Sequence, residues 1–170
     1  MTAVLALDLS ITATGVALPG GQLHTWRSDL PGDHRLVDLA ARLIDTLRAN
    51  PVDIVAIEDL PTHAHAAGIT GKVHGAIRVE LLRRQIPYAL VAPATLKKYA
   101  TGRGNATKAD MRVALLKRTG VDIRDDDQVD AAWLRHMTID HYTGRGIVPK
   151  DQRAALAKVS WPDLERGAAA

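Results

Sequence analysis

The sequence predicts an α/β fold with a five-stranded mixed sheet, in which three antiparallel strands are followed by two parallel crossovers and helices flank the sheet. Three short apolar runs separated by close turns open the chain, which is typical of an antiparallel meander. Two further apolar runs alternate with segments of helical spacing, which indicates crossover connections. There is no internal repeat and no linker, so we expect one domain over residues 1–144 and a loosely attached polar tail over residues 145–170.

The N-terminal half is predicted to contain the meander, one helix and a fourth strand. The three strands of the meander are Ala3–Leu7, Gly15–Leu18 and Leu23–Trp26. From His34 to Asn50 the apolar residues recur at helical spacing, and Pro51 follows the end of this helix. The run Asp53–Glu58 is too continuously apolar for a half-exposed strand, so we predict a buried one.

The C-terminal half is predicted to alternate helices with one more strand. Its elements are a helix over Ala64–Gln85, a fifth strand over Ile86–Pro93, a helix over Thr107–Thr119 and a last helix from residues 125–127 to about His141. Glycines at positions 68, 71 and 75 weaken the first of these helices unless another backbone packs closely against it. The next helix begins with Thr107-Lys108-Ala109-Asp110, which resembles a capping box with Asp in place of Glu or Gln, and Gly120 ends it.

The composition is that of an ordinary globular protein. Charged residues make up 24% and hydrophobic residues 46%, which excludes a disordered tail protein or an acidic solvating chain. The absence of cysteine excludes zinc fingers and thiol chemistry. No apolar run is long enough for a membrane span and the N-terminus lacks a basic stretch, so we expect a soluble protein without a targeting segment. Because Phe is absent and Trp and Tyr are few, binding by many aromatic stacking platforms is not favoured.

The formal charge of +3 hides an uneven distribution. Between Lys72 and Arg118 there are eleven cations and two carboxylates, a net charge of +9. The next segment, Asp122–Asp130, contains five aspartates and one arginine, a net charge of −4. This arrangement suits an enzyme that cuts phosphodiesters, because cations attract the polyanion and carboxylates hold metal ions. Solvated helix faces would give the same pattern, so charge alone leaves both interpretations open.

Four carboxylates are the candidate catalytic and metal-binding residues. Asp8 and Glu58 each end an apolar strand, where a charge is not expected without a use. Asp127 and Asp130 lie about one turn apart on the last predicted helix. Four carboxylates from three elements can converge and bind two hard divalent cations, which activate a water and stabilise the leaving oxygen of a phosphodiester. Each acid alone can also be a helix cap or turn residue, and residues 125 and 126 are expected only to favour the helix N-terminus by their charge.

Four pieces of the sequence together resemble a known family. In order, over roughly residues 3 to 137, they are LALDLSITATGVAL, VAIED, VAPATLKKYATGRGNATKADM and DDDQVDAAWL. In order and spacing they resemble RuvC-type Holliday-junction resolvases of the RNase H-like nuclease superfamily. The third piece is the most specific, because strand-end acids occur throughout the wider superfamily.

The resemblance implies an RNase H-like fold and an endonuclease that depends on Mg²⁺ or Mn²⁺, with two ions per active site and no small-molecule cofactor. It implies that Asp8, Glu58, Asp127 and Asp130 are the metal-binding catalytic acids. It also implies a cytoplasmic enzyme of bacterial or bacteriophage origin. This enzyme would be a homodimer whose two active sites nick opposed strands of a four-way DNA junction symmetrically. The glycine-bearing helix after Glu58 resembles the family's dimer-forming helix.

The basic region supplies the candidate DNA-binding residues. By position, Lys97 and Lys108 resemble family lysines that act at the junction's phosphates, with Lys98 as an alternative to Lys97. The TGRGN turn between them would let backbone amides approach a phosphate, and Arg103 is a further candidate there. Its glycines do not form a P-loop, because no GK[ST] follows.

The sequence departs from the family pattern after the central glutamate. Many members carry there an aromatic residue that stacks on a base near the branch point, whereas this chain reads Glu58-Asp59-Leu60-Pro61. We therefore expect a shape-selective enzyme with relaxed sequence preference and activity on other branched DNA. His63 and His65 follow closely and are expected to be surface-loop residues, while Trp26 and Trp133 are expected in the core.

Three other functions remain open. An actin-like kinase or ATPase shares the strand–Asp–turn–strand pattern, but needs two such domains and usually more residues. An RNA–DNA hybrid nuclease or a flap endonuclease would use the same acids, and only substrate competition separates it from a junction resolvase. The third is a non-catalytic junction-binding protein, against which the presence of all four acids argues.

Overall fold

Five strands form one mixed sheet in the computed structural model, which describes residues 2–60 and 67–164. In chain order the elements are β1 (Val4–Asp8), β2 (Ala13–Ala17), β3 (Leu23–Arg27), α1 (His34–Ala49), β4 (Ile54–Glu58), α2 (Ala67–Arg83), β5 (Tyr88–Val91), α3 (Pro93–Thr101), α4 (Lys108–Thr119), α5 (Asp126–Thr143) and a C-terminal 3₁₀ helix (Gln152–Lys158). The strand order is β3-β2-β1-β4-β5, antiparallel from β3 to β1 and parallel from β1 to β5. The predicted sheet is confirmed. Within the described residues, no helix is both long and apolar enough to cross a membrane.

Each face of the sheet has its own apolar cluster, because alternate residues of a strand point to opposite faces. Leu5 and Leu7 of β1 belong to the cluster beneath α1 and α2. Ala6 points the other way, and together with Ala17 and Ala56 it belongs to the cluster beneath α3, α4 and α5. Small residues on three neighbouring strands let α5 lie close to this face of the sheet.

The closest approach of α5 to the sheet is at Gly15 of β2. A Cβ atom on Gly15 would lie 2.0 Å from the main-chain carbonyl oxygen of Asp127. Side chains do not fit at such a distance, so glycine is required for the first turn of α5 to rest on β2. Since Gly15 pairs with Asp8 across the sheet, this contact sets the start of α5 beside the end of β1.

The last two α-helices begin at side-chain caps. The cap at Thr107 is the one that the sequence predicts, whereas Asp125 caps its helix and does not only favour it by its charge. The Thr107 hydroxyl accepts a hydrogen bond from the N–H of Asp110, whose carboxylate accepts one from the N–H of Thr107 at 2.9 Å, which is the predicted capping box. Gly120 ends α4 in the left-handed conformation, with φ 74°. The Asp125 carboxylate caps α5 by accepting from the N–H of Asp127 at 3.0 Å. Both boundaries are therefore set by local hydrogen bonds.

The structure differs from the prediction between the fifth strand and α4. β5 ends at Val91, and Pro93 starts helix α3 rather than ending the strand. Proline suits the first turn of a helix, because its φ is already helical and it has no N–H to leave unpaired. The lysine-bearing segment with Lys97 and Lys98 is therefore helical, and Gly102 ends it in the left-handed conformation with φ 83°.

Residues 145–164 differ from the expected loose tail. The C-terminal 3₁₀ helix packs against α3, and Val148, Ala155 and Val159 are buried in the cluster beneath α5. These buried apolar residues are few and stand within a polar segment, so the composition of the segment does not indicate that it packs on the core. The folded domain therefore extends at least to residue 164, and residues 165–170 lie outside the described residues.

The glycines of α2 are not explained by packing within the described part of the chain. A Cβ atom on Gly68 or Gly75 would meet nothing within 4 Å outside its own helix, and one on Gly71 would meet only the side chain of Leu60, at 3.8 Å. The backbone of α2 is therefore open to a close neighbour that residues 2–60 and 67–164 do not provide.

Gly15→Ala is expected to destabilise the protein by about 1–3 kcal/mol, because the backbone of α5 must move away from β2. Urea unfolding followed by circular dichroism measures the change. Gly68→Ala is the matched control, since its Cβ would meet no atom of the described residues outside its own helix, and it is expected to change stability by less than about 1 kcal/mol. An unaltered unfolding midpoint for Gly15→Ala would contradict the close contact.

Candidate metal centre

Two carboxylates lie side by side at the ends of two neighbouring inner strands of the sheet. The strands β1 and β4 are parallel neighbours, and Leu7 pairs with Ile57. The next residue along each strand is Asp8 and Glu58, so both side chains leave the same end of two adjoining strands. Both are half-buried, whereas the rest of each strand is fully buried. The pairing register of the sheet thus places two acids at one point.

The start of α5 is tied to the neighbouring elements by side-chain hydrogen bonds. The Thr25 hydroxyl on β3 donates to the Asp125 carboxylate at 2.7 Å and accepts from the Gln128 side-chain amide at 2.9 Å. Two turns further on, the Trp133 indole N–H donates to the main-chain carbonyl of Met111 on α4 at 3.1 Å. These bonds fix both the height and the rotation of α5 over the sheet.

Helix α5 brings a third carboxylate to the strand ends. Carboxylate oxygens of Asp8, Glu58 and Asp130 all lie within 4.8 Å of one another, and all three residues are half-buried. Asp127, the fourth predicted acid, lies one turn earlier against Gly15 and is not a member of this close group. Its charge still helps to raise the pKa of Asp8, so it lies at the rim of the same cluster.

Burial and mutual repulsion raise the pKa of each clustered acid. Burial is the largest cause in every case, and the charges of neighbouring acids add to it. The charge of Asp127 raises the pKa of Asp8, and the charge of Asp8 raises the pKa of Asp130. The pKa of Glu58 is raised by the charges of Asp8 and then Asp130. The resulting pKa is about 6 for Asp8, about 7 for Asp130 and about 9 for Glu58. Burial also raises the pKa of Asp127. Such a cluster has a high affinity for positive charge, whether protons or metal ions supply it.

Two lysines supply positive charge beside the acids. The Nζ of Lys108, the first residue of α4, lies 3.6 Å from the carboxylate of Asp126. Burial lowers the pKa of Lys108, but the nearby carboxylates, first that of Asp126, raise it by more. The charge of Lys97 on α3 lowers the pKa of both Glu58 and Asp130. The two lysines therefore approach the cluster from different helices.

The other two predicted DNA-binding residues, Lys98 and Arg103, are both exposed. Lys98 is exposed, next to half-buried Lys97. The guanidinium of Arg103 pairs with the Asp110 carboxylate at 3.1 Å. Several other cations of the basic stretch are also paired with acids, namely Lys72 with Asp33, Arg83 and Arg84 with Glu80, and Arg112 with Asp122. Part of the +9 charge of that stretch is therefore neutralised locally.

The donor set fits a hard divalent cation. All three clustered ligands are carboxylates, which suit Mg²⁺ or Mn²⁺, and the described residues place no softer ligand within the group. The raised pKa values give the same indication, because carboxylates held this close are unfavourable unless positive charge neutralises them.

A family model described as crossover junction endodeoxyribonuclease RuvC matches residues 12–141, well over half of the chain. The chain belongs to the RuvC family. RuvC-family membership and the observed fold together confirm the predicted RNase H-like architecture and the predicted class of enzyme, a metal-dependent endodeoxyribonuclease that acts at crossover junctions.

Curated RuvC proteins of three bacteria are similar to this RuvC-family chain. The protein of Paenarthrobacter aurescens (strain TC1) is 26% identical over 168 residues, covering 95% of this chain and 87% of that protein. That of Rhodopirellula baltica is 27% identical over 127 residues, covering 66% and 70%. That of Salinibacter ruber is 30% identical over 118 residues, covering 62% and 65%.

Solved RuvC structures share the fold. RuvC of T. thermophilus in complex with a Holliday junction substrate superposes with a TM-score of 0.65 at 21% identity, covering 79% of this chain and 90% of that one. A further structure of Thermus thermophilus RuvC superposes with a TM-score of 0.68 at 19% identity, covering 84% and 97%. The antiparallel pair of β1 and β2 that contains Asp8 therefore needs no actin-like kinase or ATPase fold to explain it.

The departure of this RuvC-family chain after Glu58 is visible in the structure. The N–H of Asp59 donates to the Val91 carbonyl at 2.8 Å, and its carboxylate accepts from the N–H of Leu60 at 2.8 Å. This segment therefore continues along β5 with an aspartate and a leucine and carries no ring through Leu60. His63 and His65 lie outside the described residues.

The sequence patterns missed Gly15 as a site-forming residue. It carries no functional group, yet the position of the acid-bearing helix depends on it. A lone glycine inside an apolar strand is a sign of close backbone approach, and this signal was present in the segment Ala13–Ala17.

Asp130→Asn is expected to raise the melting temperature of the metal-free protein at pH 8. The pKa values of Asp8, Asp130 and Glu58 lie above their ordinary values, at about 6, 7 and 9. The favourable contribution of the protonated cluster to the free energy of unfolding is therefore present near pH 4 and is lost as pH rises through these values. Removing one carboxylate relieves the repulsion at pH 8 and has little effect near pH 4.

Thermal unfolding in EDTA at both pH values measures this effect, and Asp45→Asn, on an exposed side chain of α1, is the control. Magnesium is expected to raise the melting temperature of the wild type at pH 8 more than that of Asp130→Asn. A lower melting temperature for Asp130→Asn than for wild type in EDTA at pH 8 would contradict the assignment of the cluster.

Proposed function

We propose that this RuvC-family chain resolves four-way DNA junctions by paired, symmetric nicks, using two Mg²⁺ or Mn²⁺ ions in each active site. The observation that carries the proposal is the convergence of Asp8, Glu58 and Asp130 within 4.8 Å at the ends of β1, β4 and the sheet-facing side of α5. Asp127 completes the ligand set from the first turn of α5. Family membership supports the reaction class, and the acid cluster supports its location.

The chain itself contributes ligand placement and protection from solvent. When bound, the divalent ions supply the positive charge that activates the attacking water and stabilises the leaving oxygen of the phosphodiester. Asp8 and Glu58 are held by strands at the centre of the sheet and Asp130 by a helix, so the ligand positions do not depend on a mobile loop. The half-buried setting strengthens the electrostatic interactions at the cleavage point.

Lys97 and Lys108 are proposed to contact the phosphates at the cleavage point, because their charges act on the acids from two sides. Lys98 and Arg103 are proposed to contact phosphates farther along the DNA, where they add affinity without touching the metal ions. Loss of the first pair would therefore slow cleavage, and loss of the second would mainly weaken binding and reduce its salt dependence.

The proposal includes a relaxed sequence preference. Asp59 and Leu60 follow the central glutamate, and neither has a ring that could stack on a base. Recognition would then depend on the geometry of the branch and on phosphate positions, and other branched DNA would also be cut. Junctions of varied core sequence would be cleaved at similar rates.

Asp8→Asn and Glu58→Gln are each expected to abolish cleavage while leaving junction binding within about two-fold of wild type, because the acids serve the metal ions and the lysines serve affinity. The experiment compares four-way junction, flap, RNA–DNA hybrid and linear duplex in one gel assay with Mg²⁺, each in competition with the junction. Binding is measured in Ca²⁺, and Asp45→Asn is the matched control.

The outcome that supports the proposal is preferred cleavage of the four-way junction by two opposed nicks. Preferred cleavage of the hybrid or of the flap would assign the same acids to the alternative nuclease function. Junction binding without cleavage by the wild type would favour a non-catalytic protein, and retained cleavage in Asp8→Asn or Glu58→Gln would remove the acids from the mechanism.

A homodimer is also proposed, since two opposed strands require two active sites related by a two-fold axis. The surface that supports it is an apolar groove between α1 and α2, hereafter the α1/α2 groove. Its lining includes Val37, which is 68% exposed, Val79, which is 45% exposed, and Gly75. Because none of the described residues outside α2 lies beside Gly75, the backbone of a second copy could pack closely there.

Val79→Glu is expected to weaken dimerisation by about 100-fold or more, because the interface would bury an unpaired carboxylate. Sedimentation velocity over a concentration series measures the dissociation constant. Val113→Glu is the matched control, as Val113 is 49% exposed on α4, away from the groove. Equal dissociation constants for Val79→Glu and wild type would exclude the α1/α2 groove as the interface.

A further inference from the structure

A buried hydrogen-bonded group joins α3, α5 and the C-terminal 3₁₀ helix. The Tyr99 hydroxyl on α3 donates to the Asp140 carboxylate on α5 at 3.1 Å. The Arg153 guanidinium of the 3₁₀ helix donates to both oxygens of the same carboxylate, with Nε at 3.0 Å from one of them. It also donates to the main-chain carbonyl of Gly144, at the end of α5, at 3.0 Å. Three separate elements thus meet on one carboxylate, and this hydrogen-bonded group is hereafter the Asp140 bridge.

The Asp140 bridge has little freedom to rearrange. Asp140 is 1% exposed and Tyr99 is 0% exposed, so each polar atom depends on its protein partner. A Cβ atom on Gly146 would lie 2.0 Å from an Asp140 carboxylate oxygen, which means that the returning chain covers the carboxylate. Burial, followed by the charge of Asp140, raises the pKa of Tyr99, so the hydroxyl stays protonated and remains a donor.

The two helices that meet at the Asp140 bridge also carry Lys97 and Asp130, which belong to the proposed active site. Tyr99 lies two residues after Lys97 on α3, and Asp140 lies on the same helix as Asp130. The edge of the Tyr99 ring also packs on Trp133 of α5, with ring centroids 6.1 Å apart. Any shift of α3 along α5 would therefore move Lys97 relative to Asp130. The hydroxyl bond supplies a directional restraint that the ring packing alone does not supply.

We propose that Tyr99 is a positioning residue for the nuclease reaction: through its hydroxyl bond to Asp140, it holds Lys97 in register with the acid cluster. The inference rests on the proposed role of Lys97 at the cleaved phosphate. Arg153 keeps the Asp140 carboxylate oriented to receive the bond, so the segment 145–164 contributes to the active site without touching it.

The test is a double-mutant cycle in single-turnover cleavage of a four-way junction, with protein in excess and Mg²⁺ present. Tyr99→Phe removes only the hydroxyl and leaves Asp140 paired with Arg153, so the fold is retained. Cleavage by Tyr99→Phe is expected to be about ten-fold slower than wild type, with junction affinity in Ca²⁺ within about two-fold. In a Lys97→Met background the same substitution is expected to change the rate by less than about two-fold.

Tyr142→Phe is the matched control. The Tyr142 hydroxyl on α5 donates to the main-chain carbonyl of Pro162 at 2.6 Å, so this substitution also removes a hydroxyl bond between α5 and the C-terminal segment. It does not touch α3, and its cleavage rate is expected to stay within about two-fold of wild type. A loss of cleavage that merely follows lower stability would appear in both tyrosine variants.

The inference is overturned if Tyr99→Phe slows cleavage by the same factor in the wild-type and Lys97→Met backgrounds, or slows cleavage in neither. It is also overturned if Lys97→Met cleaves as fast as wild type, although junction resolution itself would then stand. Failure of the wild type to cut branched DNA would instead overturn the proposed function. Hydrogen exchange gives a reading independent of cleavage: unchanged exchange of residues 93–101 in Tyr99→Phe would show that the hydroxyl does not restrain α3 and would overturn the inference.

Discussion

The contact between Gly15 and the first turn of α5 is the constraint on which the acid cluster depends. It allows a helix to rest on the sheet at a distance that no side chain would permit, directly beside the strand pair that carries Asp8 and Glu58. The hydrogen bonds of Thr25 then fix how the helix is turned. The carboxylate of Asp130 is therefore positioned by a residue that has no side chain and by a hydroxyl on a neighbouring strand, whereas Asp8 and Glu58 are positioned by the pairing of β1 with β4.

Stability and function oppose each other at this cluster. Three half-buried carboxylates within 4.8 Å repel one another, and the fold holds them together with apolar packing on both faces of the sheet. Two lysines offset part of the repulsion, and bound cations would offset the rest. The same charge arrangement would favour a bound divalent cation, so relieving the repulsion in the metal-free protein would also weaken the proposed metal binding.

Features with a local cause could be predicted from the sequence. The strand-end acids and the cap at Thr107 follow from patterns a few residues long, and the mixed sheet follows from the order of the elements along the chain. Features set by distant contacts could not. That Asp130 joins the close group while Asp127 lies at its rim depends on the rotation of α5, and that residues 145–164 are packed depends on their contacts with α3 and with the cluster beneath α5. Chain-local periodicity contains no information on either.

The three clustered acids come from the beginning, the middle and the last α-helix of the chain. Asp8 and Glu58 are synthesised well before Asp130, and the third acid reaches the cluster only when α5 has been made and has docked on the completed sheet. A nascent or truncated chain would therefore expose the basic stretch, and could adhere to DNA, without being able to cut it. The long sequence separation of the three acids thus makes the cluster a property of the completed domain.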